Sequence, residues 1–244
     1  MIQPILGHLR NEPVRQLRAF RMVCTALAAV AIPIMMAQAA LARLFFEVAL
    51  PAKYADAAPI LEILSFATCF WCCMGPCLAM LTAQSRFREY FMLQVSQLVL
   101  LAALVAAGAA LGGESNGGLY AAVAVLIQIA ITGPAALWLA GRRPDLPPAE
   151  RLRLGTCIAI FIRPLISAVA AFSLTMYVAN ADLGLSRIPQ VAASLAAALA
   201  SSALYLLFLR IFAPGTWNDL KTEGLAVIRK IRQRTSAPVN DLPA

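Results

Sequence analysis

The chain has 244 residues, of which 61% are hydrophobic and 13% charged, with a net charge of +8. Soluble domains carry about 25% charged residues, so half that share, gathered between long apolar blocks, excludes an ordinary soluble fold and indicates a membrane protein. The positive excess falls in short loops with no recognition motif beside it, which excludes nucleic acid as a partner and reads as membrane topology.

In chain order, residues 1–21 form a basic amphipathic lead-in and lack the continuous apolar core of a cleavable signal. Asn11 is a candidate helix cap, with Glu12 and Pro13 in the first turn. One long helix is predicted to run from this cytoplasmic start into the membrane at Met22. Six apolar blocks follow: Met22–Phe46 with Pro33 inside it, Ala57–Ala83 with Gly75 and Pro76 interrupting it, Tyr90–Leu111, Leu119–Ala140 with Gly133 and Pro134 near its end, Gly155–Ala179 with Arg163 and Pro164 in its first third, and Ile188–Phe212. A crossing needs about 20 residues of helix, which each block supplies. No block shows the alternation of a barrel strand.

Loop charges set the orientation. Arg10, Arg15, Arg18 and Arg21 precede the first block, Arg86 and Arg88 follow the second, and Arg142, Arg143, Arg151 and Arg153 follow the fourth. Lys221, Arg229, Lys230, Arg232 and Arg234 follow the sixth, while the alternate loops carry only Lys53 and Arg187. This bias predicts an all-α polytopic protein with six transmembrane helices and both termini cytoplasmic. The proline-rich loop, residues 141–154, divides a four-helix bundle (22–140) from a peripheral pair (155–212). In the basic tail (213–244), Thr216 caps a predicted amphipathic helix. Trp217, Lys221, Arg229, Lys230 and Arg232 would lay that helix on anionic lipid, the alternative being a plain basic tail.

The six cysteines all lie in apolar blocks, so disulfides are not expected. Cys69, Cys73 and Cys77 share one helical stripe and read as small packing residues. A soft-metal site would need further ligands, and no metal or other cofactor is expected. A charge at the bilayer centre costs roughly 2.5–3.5 kcal/mol, so three intramembrane charges are candidate cavity residues. Arg43 and Glu62 sit at similar depth near the outer end of the first two helices and can pair, although Arg43 can also snorkel to the headgroups. Arg163, about 12 Å into its helix, can face a cavity and hold an anion such as a phosphate. Gln94, Gln97 and Gln128 suit interhelical hydrogen bonds.

The lead-in NEPVRQLRAFR, the proline-bearing first helix, the run Lys53-Tyr54-Ala55-Asp56-Ala57-Ala58-Pro59-Ile60-Leu61-Glu62-Ile63-Leu64 and the later Arg163-Pro164-Leu165-Ile166 together resemble the second half of a Wzx-type polysaccharide flippase. These belong to the multidrug/oligosaccharidyl-lipid/polysaccharide exporter superfamily. Leu50-Pro51 stands where that pattern has its glycine. The resemblance implies part of a MATE-like fold, with residues 22–140 a partial second lobe. It implies a component or fragment of a lipid-linked oligosaccharide exporter for O-antigen or exopolysaccharide, in the bacterial inner membrane and not an enzyme. The expected partners are the lipid-linked oligosaccharide, anionic lipid, and a missing N-terminal lobe or partner subunit. The alternatives are a membrane-embedded glycosyl- or acyltransferase, for which the outer loops offer Asp56, Glu114 and Asp182 and which Glu62 and Asp56 variants would test, and a non-transporting scaffold or remnant.

Overall fold

The structure, a computed structural model, describes residues 6–142, 152–180 and 187–212. Every regular element among them is helical: α1 (Pro13–Ala49), a 3-10 turn (Ala52–Ala57), α2 (Ala58–Trp71), α3 (Met74–Ala83), α4 (Phe87–Gly113), α5 (Asn116–Gly141), α6 (Leu154–Asn180) and α7 (Arg187–Phe212). Helices α2 and α3 together make one crossing, so six segments are long and apolar enough to span a membrane. The chain is therefore built as a multi-pass membrane protein, as its apolar blocks predict.

Local chemistry explains where the elements differ from those expectations. The flanking residue of α1 is Glu12 and not Asn11, with Pro13 in the first turn and Glu12 at φ −120° and ψ 75°. A proline disfavours helical geometry in the residue before it, which fixes the start at Pro13. Instead of capping, the Glu12 carboxylate pairs with Arg15 at 2.5 Å. The second crossing breaks at Cys72 and Cys73, between α2 and α3, and not at Gly75 and Pro76. Pro76 has no amide hydrogen and its ring clashes with the carbonyl four residues back, which is Cys72, so the helix yields one turn ahead of the proline.

The loop expected after the third block is almost absorbed into helix. Only Gly113 leaves helical geometry, at φ 60° and ψ −162°, where a side chain would be strained. Two further glycines let the arms of this hairpin close. A Cβ at Gly108 would lie 2.9 Å from the Tyr120 carbonyl oxygen, and one at Gly112 would lie 2.9 Å from the Gly117 Cα.

Helix α1 is the centre of the bundle, since α2 and α6 both pack along it. Its buried face runs through Phe20, Cys24, Ala28, Ile32 and Met36 and shares one core with Cys69 of α2, with Cys73, Cys77 and Met80 at and beyond the break into α3, and with Phe161, Ala168 and Phe172 of α6. The pair 155–212 is thus not peripheral as a unit: α6 is the most deeply packed of the six crossings, and only α7 lies outside. The cause is a small-residue contact surface on α6, with Ala168 and Ala171 fully buried, that lets it approach α1. Helix α7 is tied on by polar bonds in an otherwise apolar setting, Tyr205 Oη donating to the Ala29 carbonyl at 2.8 Å and Thr175 bonding Ser201 at 2.8 Å.

At one end of the bundle Arg86 donates to the Leu139 carbonyl, pairs with Glu89, and so fastens the α3–α4 turn to the end of α5. Helix α5 meets α2 where Gly133 faces the backbone of Phe70, and a Cβ there would lie 2.7 Å from the Phe70 oxygen. Gly133→Leu should therefore destabilise the purified protein by about 1–3 kcal/mol through overpacking. Tyr205→Phe should cost about 0.6–1.7 kcal/mol for one intramembrane hydrogen bond. Thermal unfolding in mild detergent reads both, and an unchanged midpoint for Gly133→Leu would contradict the close α2–α5 contact.

Candidate functional site

Charged side chains gather in two cavities. The first, of about 950 Å³, lies among the last turns of α1 (Arg43, Phe46, Glu47), the 3-10 turn (Asp56), the start of α2 (Ala58 to Ile60, Glu62) and the start of α5 (Asn116, Gly118, Leu119). Pro59 in the first turn of α2 and the hairpin turn at Gly113 bring these three helix ends together. The cavity holds one cation, Arg43, against the carboxylates of Glu47, Asp56 and Glu62.

Arg43 and Glu62 share this cavity, but Arg43 does not pair with Glu62. Its Nε donates to Glu47 Oε1 at 3.0 Å. The reason is helical spacing: residues four apart stack on one face, so Glu47 reaches Arg43 without bridging two helices. Glu62, half-buried in the wall, has no ion pair among the described residues. Lys53, in the 3-10 turn, stands 5.0 Å from the centre of the Tyr54 ring.

Arg163 belongs to a second cavity, of about 600 Å³, between the N-terminal halves of α1 and α6. Arg18, Arg21, Met22 and Thr25 line it from α1, and Gly155, Thr156, Ala159, Ile160, Arg163 and Pro164 from α6. Pro164 offers no amide hydrogen, so the Ile160 carbonyl in this wall lacks its helical donor. Ser167 Oγ donates to the Arg163 carbonyl at 3.0 Å, which steadies the turn that carries the arginine.

Arg21 and Arg43 are 22 positions apart on one helix, about 33 Å at the helical rise, and the hydrocarbon core of a bilayer is about 30 Å thick. The two cavities therefore sit one membrane thickness apart, and Arg43, Glu62 and Arg163 do not form one site. Glu47, Asn116, Arg18 and Arg21 were missed as cavity residues by sequence reasoning. The four-residue spacing of Arg43 and Glu47 was the readable signal for one of them. Nothing in the sequence states that α1 and α6 lie side by side, so the roles of Arg18 and Arg21 were out of reach.

Four of the cysteines come from three crossings to one region of the core. Cys24, Cys73, Cys77 and Cys157 are fully buried, and the Cys73 thiol donates to the Cys24 carbonyl at 3.4 Å. Among the described residues no three His, Cys, Asp or Glu side chains are placed to hold a metal ion. A third hollow, of about 440 Å³, carries Gln94, Gln97, Gln128, Thr68 and Trp71. Gln97 bonds across to the Met74 sulfur at 3.5 Å, as an interhelical contact, whereas Gln128 bonds within α5 to Thr132 at 3.2 Å. Trp217, Lys221, Arg229, Lys230 and Arg232 lie outside the described residues. No known protein family, no curated protein and no solved structure matches this chain.

The geometry separates water-facing from buried positions by a thiol test. The native cysteines are buried except for half-buried Cys72, so a water-soluble maleimide should label the folded, membrane-embedded protein slowly. Glu62→Cys should react about tenfold faster than that background, while Leu64→Cys, exposed on the outer surface of the same helix, should not. Labelling of Glu62→Cys no faster than the native-cysteine background would show that no water reaches the Glu62 cavity.

Proposed function

We infer that the chain is a component of a bacterial inner-membrane exporter that moves lipid-linked oligosaccharides, of the kind the Wzx-type flippases represent. The observation that carries this reading is the pair of charged cavities set one bilayer thickness apart on α1. Arg163 lies about 14 Å along α6, toward the bilayer centre where a charge costs roughly 2.5–3.5 kcal/mol on insertion scales, and a translocation route for a charged, hydroxyl-rich head group is a reason to keep it. The arginine-rich end faces the cytoplasm by the positive-inside rule, which puts Arg163 at the entry mouth and Arg43 and Glu62 at the exit. Carboxylates and Asn116 at the exit suit sugar hydroxyls, and arginines at the entry suit a diphosphate.

A second lobe completes the transporter, supplied as an N-terminal extension or as a partner subunit. Helices α4 and α7 are the least packed of the crossings and offer the surfaces for it. The proline in α1, the break between α2 and α3, and the proline in α6 give this half three places to bend as the lobes rock. The same three acids that line the exit also suit a transferase, which needs a general base near the interface.

One experiment separates these readings. Inner-membrane vesicles from the source bacterium, with and without the chain, are loaded with a fluorescent polyprenyl-diphosphate N-acetylglucosamine. Loss of the fluorescence accessible to an impermeant quencher reports translocation. Transport should depend on the chain, and Glu62→Gln and Arg163→Gln should each slow it about tenfold. Transfer of sugar onto lipid, abolished by Asp56→Asn or Glu62→Gln and without movement across the bilayer, would establish the transferase instead.

A further inference from the structure

The arginine cavity between α1 and α6 gathers three positive charges at one end of the bundle. Arg18, Arg21 and Arg163 converge on it, and among the described residues none of them pairs with a carboxylate. All three are exposed to the cavity or its mouth. Three like charges lining one cavity repel one another. Helix α6 begins at Leu154, so its first turn, with Gly155 and Thr156, also opens here. The Thr156 and Cys157 amides donate to the Arg153 carbonyl at 2.9 and 3.1 Å, so this end contributes through the helix dipole, which adds positive potential at that point. The charged side chains that line the cavity are thus all positive, set among apolar and hydroxyl side chains.

We propose that this cavity binds the headgroup phosphate of an anionic phospholipid from the adjoining leaflet. Arginine suits phosphate because its planar fork donates two parallel hydrogen bonds. Depth selects a lipid over a soluble anion. Arg163 lies nine positions into α6, about 14 Å along the helix, and its long side chain can reach back toward headgroup level, where a soluble anion has no anchor. A phospholipid already carries its phosphate at the membrane boundary, and its glycerol and first acyl carbons would lie on Met22, Ala159 and Ile160. Beyond Arg163, Ile162 and Ile166 are exposed on the flank of α6 and continue the apolar track. The bound phosphate supplies the missing negative charge and holds α6 against α1. This stands whether or not the chain transports anything.

Native mass spectrometry of the full chain, purified in neutral detergent, provides the test. The probes are phosphatidylglycerol, phosphatidylcholine and inorganic phosphate, each titrated alone. Phosphatidylglycerol should be retained at least about tenfold more tightly than phosphatidylcholine, and retention should fall about fivefold for each arginine removed in Arg163→Gln and Arg18→Gln/Arg21→Gln. Gly155→Leu keeps all three arginines and should weaken retention by narrowing the mouth, since a Cβ there meets nothing within 4 Å and the fold is not disturbed. Arg88→Gln removes an exposed charge at the same end of the bundle, outside the cavity, and should retain lipid as the wild type does. Equal retention by wild type and Arg163→Gln, or an equal loss in Arg88→Gln, would overturn the proposal by showing diffuse attraction only. Tight binding of inorganic phosphate alone would replace the lipid with a soluble ligand.

Discussion

The packing of α2 and α6 along α1 is the contact on which the rest of the bundle depends. Apolar side chains gain little from leaving lipid for a protein interior, so close approach and dispersion must hold membrane helices together. Helix α1 meets this condition with alanines at 28, 29, 39 and 40, all buried, with Ile32 and Met36 between them and Phe20 two turns before. Small residues allow the approach and large ones fill the space beside it. Helix α7 then reaches α1 through the hydroxyl of Tyr205, and the α4–α5 hairpin joins through α2 and α3. A bundle assembled around one long helix necessarily has two ends separated by that helix's length.

This geometry gives the charges their meaning. Each end of α1 carries arginines, yet their settings are opposite in sign. At the far end Arg43 is neutralised by Glu47 four residues on, and two further carboxylates share its cavity. At the near end Arg18 and Arg21 meet Arg163 from a parallel helix, and no described carboxylate answers them. One cavity is acidic with an internal ion pair, and the charged side chains of the other are all basic. The two ends of the bundle therefore present opposite potentials.

Much of this was legible in the sequence, for physical reasons. A crossing must be long and apolar throughout, so the six segments stand out as blocks, and the hairpin glycines and helix prolines mark where geometry changes. The displacement of the second-helix break to Cys72 and Cys73 was readable in principle, because a proline acts on the carbonyl four residues before it. The near-disappearance of the loop at Gly113 was not, since polar residues in GESNGG argue for a turn while helix continuity depends on tertiary contacts with Tyr120. The partner of Arg43 was misjudged because pairing across helices was weighed ahead of the neighbour at i+4. The lateral order of helices was wholly hidden. Apolar blocks of similar composition do not announce their neighbours, and so neither the central position of α6 nor its arginine cavity with α1 could be read.

Reporter fusions test the central claim most directly, because every step depends on which ends of the helices share a membrane face. With alkaline phosphatase, which is active only outside the cytoplasm, joined after Lys53 or Gly113, the account predicts high activity. Joined after Arg142, it predicts none. Activity at Arg142 equal to that at Lys53 would place both cavities on one side of the membrane and contradict the account.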